Sequence, residues 1–430
     1  MNDQDHRPIG WIFLIVLFFA TCWPDKSYGA VEVGNAVFYI SELSVLFLPI
    51  AYLLYPRRNS VIASSGLRIS IIIFFVTLCF VGFTKCAFLS EQPIGFLRDL
   101  RHILPLLSGL SLIFLGMRIR ADGVWLTILL GLSCSYILSI LFFVLDVDPI
   151  FISTKEVEIE VASMVKGRLR NMNSGLSMLF LCVLIAWKKN QQYKEYFVWV
   201  LIVSSLSLAV SLLSFNRTLL VMYPVVLLGF LFFHFDIRKA ICIAALVGVS
   251  AAGIFFIYGS NDAVRRQVDH RILSLQYGAD ALLETGFYGT RDVLYGGYVD
   301  LAADYWFVGA PYYVPKSYAK PVGGETRPVF VTDISIATIF LKFGVLQLLA
   351  FIWVIWRMLA EALAMHRRLR CAPPGARSFV NAFMMALVIY LPISLNLDVL
   401  ARQQPIFFLS ILLTFSVLNA PRVSGGVRRN

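Results

Sequence analysis

Apolar runs of about twenty residues recur along most of this chain, and they limit what it can fold into. A helix needs about 20 apolar residues to cross the hydrocarbon core of a bilayer, where every backbone amide and carbonyl must be hydrogen-bonded within the protein. Such runs occur at residues 9–23, 34–55, 67–89, 93–117, 123–145, 171–187, 195–214, 218–235, 239–258, 333–356, 379–397 and 403–420. The sequence therefore predicts an all-α, polytopic membrane protein with about 12 transmembrane helices.

The composition excludes the other broad classes of protein. Of the 430 residues, 59% are hydrophobic and only 15% are charged, whereas about 25% of residues are charged in a soluble domain. The net charge of +11 does not indicate nucleic-acid binding, because the lysines and arginines lie in short loops between apolar runs. The seven cysteines form no Cys-x-x-Cys or Cys/His cluster, so we expect no metal site, no disulfide framework and no cofactor.

The basic residues of the loops predict the orientation in the membrane. With the N-terminus in the cytoplasm, every predicted cytoplasmic loop contains lysine or arginine, for example Lys188, Lys189 and Lys194 after the sixth span. The short outer loops contain few basic residues, as the positive-inside rule requires. We therefore expect a multi-pass membrane protein with both termini in the cytoplasm and the long loop outside.

The first apolar run leaves two interpretations open. Residues 27–29 before Ala30 resemble a signal-peptidase site, whereas Asp3 and Asp5 with only Arg7 favour a retained helix. The orientation of the remaining helices is the same in both cases.

One long polar stretch, residues 259–332, interrupts the series of spans. It divides the chain into spans one to nine (1–258), a predicted outer loop, and spans ten to twelve with a cytoplasmic tail (333–430). The loop holds eight of the 18 tyrosines, and apolar spacing predicts helices at 264–275 and 291–306 within it. A large folded loop of this kind usually serves recognition or chemistry.

Ionisable residues gather near the predicted outer ends of several helices, on the side of the long loop. They are Lys85, Arg98, Asp99, Arg101, His102, Arg217, Asp333, Asp398 and Arg402. A charge in the apolar layer is costly unless it is paired or wetted, so this gathering indicates a shared site.

Each of these charges also has a structural interpretation. For Lys85 and Arg402 we favour a side chain that extends to interfacial water. Arg98 and Asp99 fit an ion pair on one helix, and Asp333 fits a favourable interaction with a helix dipole.

The combination of arginines, carboxylates and aromatic residues favours glycan transfer from a lipid diphosphate. Guanidinium groups bind phosphate through paired hydrogen bonds and keep their charge at working pH. Tyrosine and tryptophan offer flat apolar faces with polar tips, which match sugar rings. A carboxylate can deprotonate the attacking hydroxyl, while arginines stabilise the departing diphosphate.

The chain resembles the bacterial O-antigen polymerase and ligase superfamily, which comprises Wzy-type polymerases and lipid A-core O-antigen ligases. Ser214–Leu220 resembles the family's arginine-containing turn before a helix. Arg291–Tyr295 and Trp306–Tyr312 resemble the arginine-led helix and the aromatic, glycine-containing turn of its periplasmic loop. Asp333–Ile336 and Lys342–Gly344 resemble the polar helix entry and the later glycine. The likeness covers most of the chain in topology, and its motifs lie in the second half.

This resemblance implies a metal-independent, inverting glycosyltransferase of the all-helical membrane class (GT-C-like). It also implies a protein of the bacterial inner (cytoplasmic) membrane with residues 259–332 in the periplasm, and a donor glycan on undecaprenyl diphosphate in the periplasmic leaflet. The ligases usually carry histidine with asparagine where this chain has Asp333 and Ile334, a difference that favours a polymerase of O-antigen, capsule or exopolysaccharide.

The resemblance and the residue chemistry together give each candidate a role. Arg217 and Arg291, with Arg265 or Arg266, would hold the donor diphosphate, and Asp333 would orient or deprotonate the acceptor hydroxyl. The further substrate-binding candidates line the sugar path or lie at the helix ends, and they are Tyr295, Tyr298, Tyr305, Trp306, Arg98 and Arg101.

Two alternatives stay open at this point. A ligase would move a finished glycan onto lipid A-core or another acceptor, and a transporter or flippase would carry out no transfer. Transporters place ionisable residues near the midplane of the membrane. In this sequence only Glu42 and Lys342 are predicted to lie that deep. The expected partners are the lipid-linked donor, a glycan acceptor, a chain-length regulator, a flippase and membrane lipids, and no nucleic acid.

Overall fold

The computed structural model of the chain describes eleven stretches and a few single positions. The stretches are 7–23, 30–33, 36–54, 65–89, 91–115, 121–145, 194–213, 299–311, 320–322, 325–327 and 335–368, and the single positions lie between 241 and 265 and at 384. The predicted spans at 171–187, 218–235 and 403–420 lie outside the described residues. Those at 239–258 and 379–397 are described at single positions only.

Helices dominate the described residues. In chain order they are α1 (Arg7–Cys22), α2 (Ile40–Leu53), α3 (Ser65–Phe88), α4 (Pro93–His102), α5 (Leu104–Leu115), α6 (Ala121–Val144), α7 (Lys194–Leu213) and α8 (Ser335–Arg368). Within them, the segments Gly66–Phe88, Leu126–Val144 and Thr338–Ala364 are each long and apolar enough to cross a membrane. The predicted helical membrane protein is confirmed at this level.

Two short antiparallel hairpins depart from the all-α prediction. Strands β1 (Ala30–Val33) and β2 (Ala36–Tyr39) pair with Ala30 opposite Tyr39, and β3 (Lys320–Val322) and β4 (Glu325–Arg327) pair with Lys320 opposite Arg327. The second predicted span, 34–55, is therefore wrong at its start, because residues 36–39 pair as a strand and α2 begins at Ile40.

The fourth predicted span, 93–117, is two helices in the structure. Pro105 has no N–H to donate to the carbonyl of Arg101, four residues earlier, so a continuous helix would lack a bond there. The chain closes α4 with a tighter turn, in which the Ile103 N–H donates to the Leu100 carbonyl at 3.0 Å. The break makes α4 a separate helix, which packs against both α3 and α5.

Helices α3 and α8 run antiparallel along each other. Near the start of α3, Gly66 lies against the side chain of Arg357. Midway, the Thr77 hydroxyl donates to the Gln347 side-chain carbonyl at 2.8 Å, and the Gln347 amide donates to the Phe74 carbonyl at 3.2 Å. These contacts fix which residues of α8 lie beside the last turns of α3.

The remaining helices pack beside this pair. Helix α1 lies against α2 and α6, α6 against α7, and α2 against α5. Gly131 of α6 lets Thr21 of α1 approach closely, and the Ser108 hydroxyl of α5 donates to the Val45 carbonyl of α2 at 3.0 Å. Small and hydroxylated residues at such contacts are typical of membrane helices, whose backbones approach closely.

The bundle has two chemically different ends. The loop end comprises the last turns of α3, helix α4, the first turns of α8 and residues 299–311. The arginine end comprises Arg68 and Arg357, where Arg68 Nη2 lies 3.5 Å from the Phe114 carbonyl in the last turn of α5. Basic side chains stabilise helix C-termini in this way.

Candidate functional site

Helix α4 brings polar side chains to the loop end of the bundle. It begins at Pro93, whose missing N–H costs nothing in a first helical turn. Gly95 and Asp99, four residues apart, face the bundle and are buried. Leu97 is 62% exposed, so α4 has an inner charged edge and an outer apolar edge.

Four charged residues at this end form a buried charge cluster, which comprises Lys85, Glu91, Asp99 and Lys342. Asp99 accepts from Lys342 Nζ on one carboxylate oxygen at 2.7 Å and from Lys85 Nζ on the other at 3.3 Å. A Glu91 oxygen lies 3.8 Å from Lys85 Nζ, and no side chain of the cluster is more than 9% exposed. Among the described residues, two cations meet two carboxylates, so their charges balance, which favours a buried set of charges.

Residues 305–311, the docked segment, lie against α8 through their backbone. The Ala310 N–H donates to the Leu341 carbonyl at 2.7 Å, and the Val345 N–H donates to the Trp306 carbonyl at 2.8 Å. Lys85 Nζ adds a third bond by donating to the Ala310 carbonyl at 2.7 Å. The buried charge cluster therefore touches the docked segment directly.

Helix α8 is broken where the docked segment meets it. Gly344 has φ 77° and ψ 179°, a conformation open essentially to glycine alone. A Cβ atom on Gly344 would collide with the Phe307 carbonyl, and one on Gly309 (φ 81°) would collide with the Lys342 carbonyl. Both glycines thus permit the two backbones to touch, and the docked segment bonds the amide and carbonyl groups on either side of the break. Broken helices persist in membrane proteins only where protein or water satisfies such groups.

Aromatic rings close the buried charge cluster on another side. Lys85 Nζ lies 5.6 Å from the centre of the Phe343 ring, within the range of a cation–π contact. Phe96 of α4 packs edge-on against Phe343 at 6.4 Å, and Gly82 of α3 makes room for Phe96. The cluster is therefore enclosed by α3, α4, α8 and the docked segment.

Four of the predicted site residues lie at the loop end. Arg98 and Arg101 are half-buried on α4, and Tyr305 and Trp306 begin the docked segment. Arg101 Nε donates to a Glu42 carboxylate oxygen at 2.6 Å, which ties α4 to the first turn of α2. Trp306 is 55% exposed, and its ring lies edge-on to Phe307 at 5.4 Å.

The other predicted site residues are mostly not described. Arg265 is helical and exposed. The residues outside the described part of the chain are Arg217, Arg266, Arg291, Tyr295, Tyr298 and Asp333.

The favoured interpretation of Lys85 was wrong, and that of Asp99 was incomplete. Lys85 is fully buried and ion-paired instead of extending to water, and Asp99 binds lysines of two other helices. The spacing of α3 contained the relevant signal, because its buried residues recur every three or four positions and end on Lys85. This series is Leu67, Ile71, Phe74, Leu78, Val81 and Lys85, and Ser70 and Gly82 are buried beside it.

The arrangement suggests how the loop end can act chemically. The carboxylates and lysines of the buried charge cluster neutralise one another away from solvent, so the cluster positions backbone and neighbouring side chains. The half-buried guanidinium groups of Arg98 and Arg101 and the exposed ring of Trp306 are the groups suited to contact an anionic, ring-containing ligand.

Comparison of the chain with protein-family models finds no matching family, and comparison with curated proteins finds no matching sequence. A functional proposal therefore rests on the residues themselves.

We expect Gly344→Ala to destabilise the loop end. The substitution places a Cβ atom against the Phe307 carbonyl in a glycine-only conformation, which costs about 2 kcal/mol or more in the free energy of unfolding. Thermal unfolding of the purified protein in detergent measures this loss. Gly248→Ala is the matched control, because a Cβ atom there meets nothing within 4 Å. Equal stability of the two variants would contradict the described break.

Proposed function

We propose that this chain is a metal-independent, inverting membrane glycosyltransferase. It extends a glycan at the periplasmic face from oligosaccharide repeat units carried on undecaprenyl diphosphate, as a polymerase of O-antigen, capsule or exopolysaccharide. In this proposal the chain crosses the bacterial inner membrane about twelve times, with both termini in the cytoplasm and residues 259–332 in the periplasm.

The observation that carries the proposal is the docking of Tyr305 and Trp306 over the broken part of α8. The docked segment lies at the end of the bundle where α4 presents Arg98 and Arg101. In this proposal, the guanidinium groups of Arg98 and Arg101 and the exposed ring of Trp306, from distant segments of the chain, contact the donor at the membrane surface. A lipid diphosphate bearing a glycan presents the matching features, which are two phosphates, sugar rings and a membrane-embedded tail.

The two ends of the bundle support the proposed orientation. Arg68 and Arg357 lie at the end opposite to the docked segment. If the loop end faces the periplasm, this arginine end faces the cytoplasm, as the positive-inside rule favours.

The proposed reaction is a single displacement. The acceptor hydroxyl oxygen attacks the anomeric carbon while the bond from that carbon to the diphosphate oxygen breaks. The diphosphate leaves on the undecaprenyl chain, with its charge stabilised by Arg217 and Arg291 and by Arg265 or Arg266. Asp333, two residues before α8, orients the acceptor hydroxyl or takes its proton.

The depth of the buried charge cluster argues against a transporter or flippase. Transport sites built on broken helices lie near the midplane. Lys85 lies three residues before the end of the apolar segment Gly66–Phe88, and Lys342 lies four residues after the start of Thr338–Ala364. The break and its charges are therefore near one surface of the bundle.

Chain growth by the purified protein tests the proposal. The assay supplies a defined undecaprenyl-diphosphate oligosaccharide without metal, and we expect products that lengthen by whole repeat units. A ligase would also transfer glycan from the lipid diphosphate, but its products would not lengthen by repeat units. In a deletion strain, glycan with a single repeat unit marks a lost polymerase, whereas long lipid-linked polymer marks a lost ligase.

We expect Arg217→Lys to reduce polymerisation on the order of a hundredfold, because a single ammonium group cannot reproduce the paired hydrogen bonds of a guanidinium group. Gel analysis of polymer length measures the effect, with membrane-inserted protein quantified in parallel. Arg238→Lys, the same change in a predicted cytoplasmic loop, is the control. Full polymer length in Arg217→Lys would remove Arg217 from the site.

We expect Trp306→Ala to raise the KM for the lipid-linked donor about tenfold, which corresponds to about 1.4 kcal/mol of lost binding. Trp306 is exposed at the loop end, where it would stack on the glycan. Trp356→Ala is the matched control, because Trp356 is 63% exposed on α8 near the arginine end. An unchanged KM in Trp306→Ala, or an equal rise in both variants, would contradict the assignment.

A further inference from the structure

Backbone bonds to α8 and the buried residues Val308 and Ala310 anchor the docked segment. Trp306 and Phe307 are exposed. Lys85 adds a contact from a charged side chain by donating to the Ala310 carbonyl. The position of the segment therefore depends in part on where Lys85 is held.

Lys85 is held by groups from other parts of the chain. Its ammonium group donates at once to the Ala310 carbonyl and to Asp99 of α4. Asp99 in turn accepts from Lys342 of α8, two residues before the break. These contacts form a closed ring. The docked segment bonds Lys85, Lys85 bonds Asp99, and Asp99 bonds Lys342 of α8. The same stretch of α8 bonds the docked segment directly.

We propose that Asp99, with Lys85 and Lys342, is a positioning residue that locks the docked segment and the broken part of α8 into one cooperative unit. Its consequence for glycan transfer rests on the proposed function, because the unit fixes Tyr305 and Trp306 relative to Arg98 and Arg101. The lock itself concerns only the fold.

The lock depends on charge balance as well as on packing. Among the described residues, Asp99→Asn leaves two ammonium groups with the single carboxylate of Glu91 in a buried site. A buried charge without compensation draws in water or separates the elements around it. Lys342→Met, added to Asp99→Asn, restores one cation against one carboxylate and keeps the bond from Lys85 to Ala310 available. The double variant should therefore recover what the single variant loses.

Hydrogen exchange of the full-length protein in lipid nanodiscs, followed by mass spectrometry, tests this lock. In Asp99→Asn we expect peptides covering 305–311 and 341–346 to exchange about tenfold faster and together, as one unit that opens locally. Peptides from α1 and α6 should exchange as in the unsubstituted protein. In the double variant we expect both protected regions to return to within about threefold of the unsubstituted rates.

Gln347→Leu is the matched control for general weakening of the contact between α3 and α8. It removes the hydrogen bonds to Thr77 and Phe74 without changing any charge. We expect peptide 305–311 to keep its protection in this variant. Loss of protection equal to that in Asp99→Asn would show that packing alone holds the segment, and would overturn the lock.

Two further outcomes would also overturn the proposal. One is unchanged exchange at 305–311 in Asp99→Asn. The other is a double variant that exchanges as fast as the single variant. If Asp99→Asn alone fails to fold, a double variant whose 305–311 peptide exchanges about tenfold faster than in the unsubstituted protein overturns the lock.

Donor kinetics on the same variants separate the lock from the proposed reaction. If the chain transfers glycan, Asp99→Asn should raise the KM for the donor and the double variant should restore it. If the exchange results are as expected but the protein extends no glycan, the proposed function fails while the lock stands. If glycan is extended and the exchange is unchanged, the lock fails alone.

Discussion

The pairing of Asp99 with two lysines is the interaction on which the loop end of this protein depends. A charged group in a site closed to water is tolerated only when opposite charges and hydrogen bonds replace its hydration. Here the compensating groups come from α3, α4 and α8. The need to neutralise Asp99 therefore determines which turns of three helices lie together, and Lys85 extends the same constraint to the docked segment.

Two backbone irregularities make this pairing possible, and each follows from a specific residue. Pro105 separates α4 from α5, so that α4, which carries Asp99, packs against both α3 and α5 as a separate helix. Gly344 opens α8, which exposes backbone groups that the docked segment then bonds. The site is thus built from interruptions of helices, at the places where a membrane protein must provide new partners for freed amides and carbonyls.

The sequence predicts the ends of a helix most accurately where one apolar run extends over the whole helix. The structure places both ends of α1, α3, α6 and α7 within two residues of the predicted spans. Helix α8 instead continues to Arg368, past the predicted end at 356, because polar residues end an apolar run without ending a helix. The hairpin at 30–39 was missed since a short apolar strand and a helix start cannot be separated by periodicity.

The candidate site was only partly predictable, for reasons that differ by residue. Charge and predicted topology grouped Arg98, Arg101, Tyr305 and Trp306, and the structure describes all four in α4 and the docked segment. The sequence did not predict the partners of Asp99, because Lys85 and Lys342 are distant from it in the chain. The spacing of apolar residues in α3 nevertheless places Lys85 on the buried face of that helix. A single glycine inside a helical pattern is normally tolerated, so nothing local distinguished Gly344 from its neighbours.

The most direct test of the central claim is to map where a lipid diphosphate contacts the protein. An undecaprenyl-diphosphate oligosaccharide with a photoreactive group beside the diphosphate would be crosslinked to the full-length protein in nanodiscs, and the labelled peptides identified by mass spectrometry. We expect labels on peptides that contain Arg217, Arg291 or residues 265–266, which hold the diphosphate in the proposed reaction, and on peptides that contain residues 98–101 and 305–307 of the loop end. Unlabelled donor should compete for all of these sites. Labels concentrated around Arg68 and Arg357, or spread evenly over the exposed faces of the helices, would contradict a donor site at the loop end.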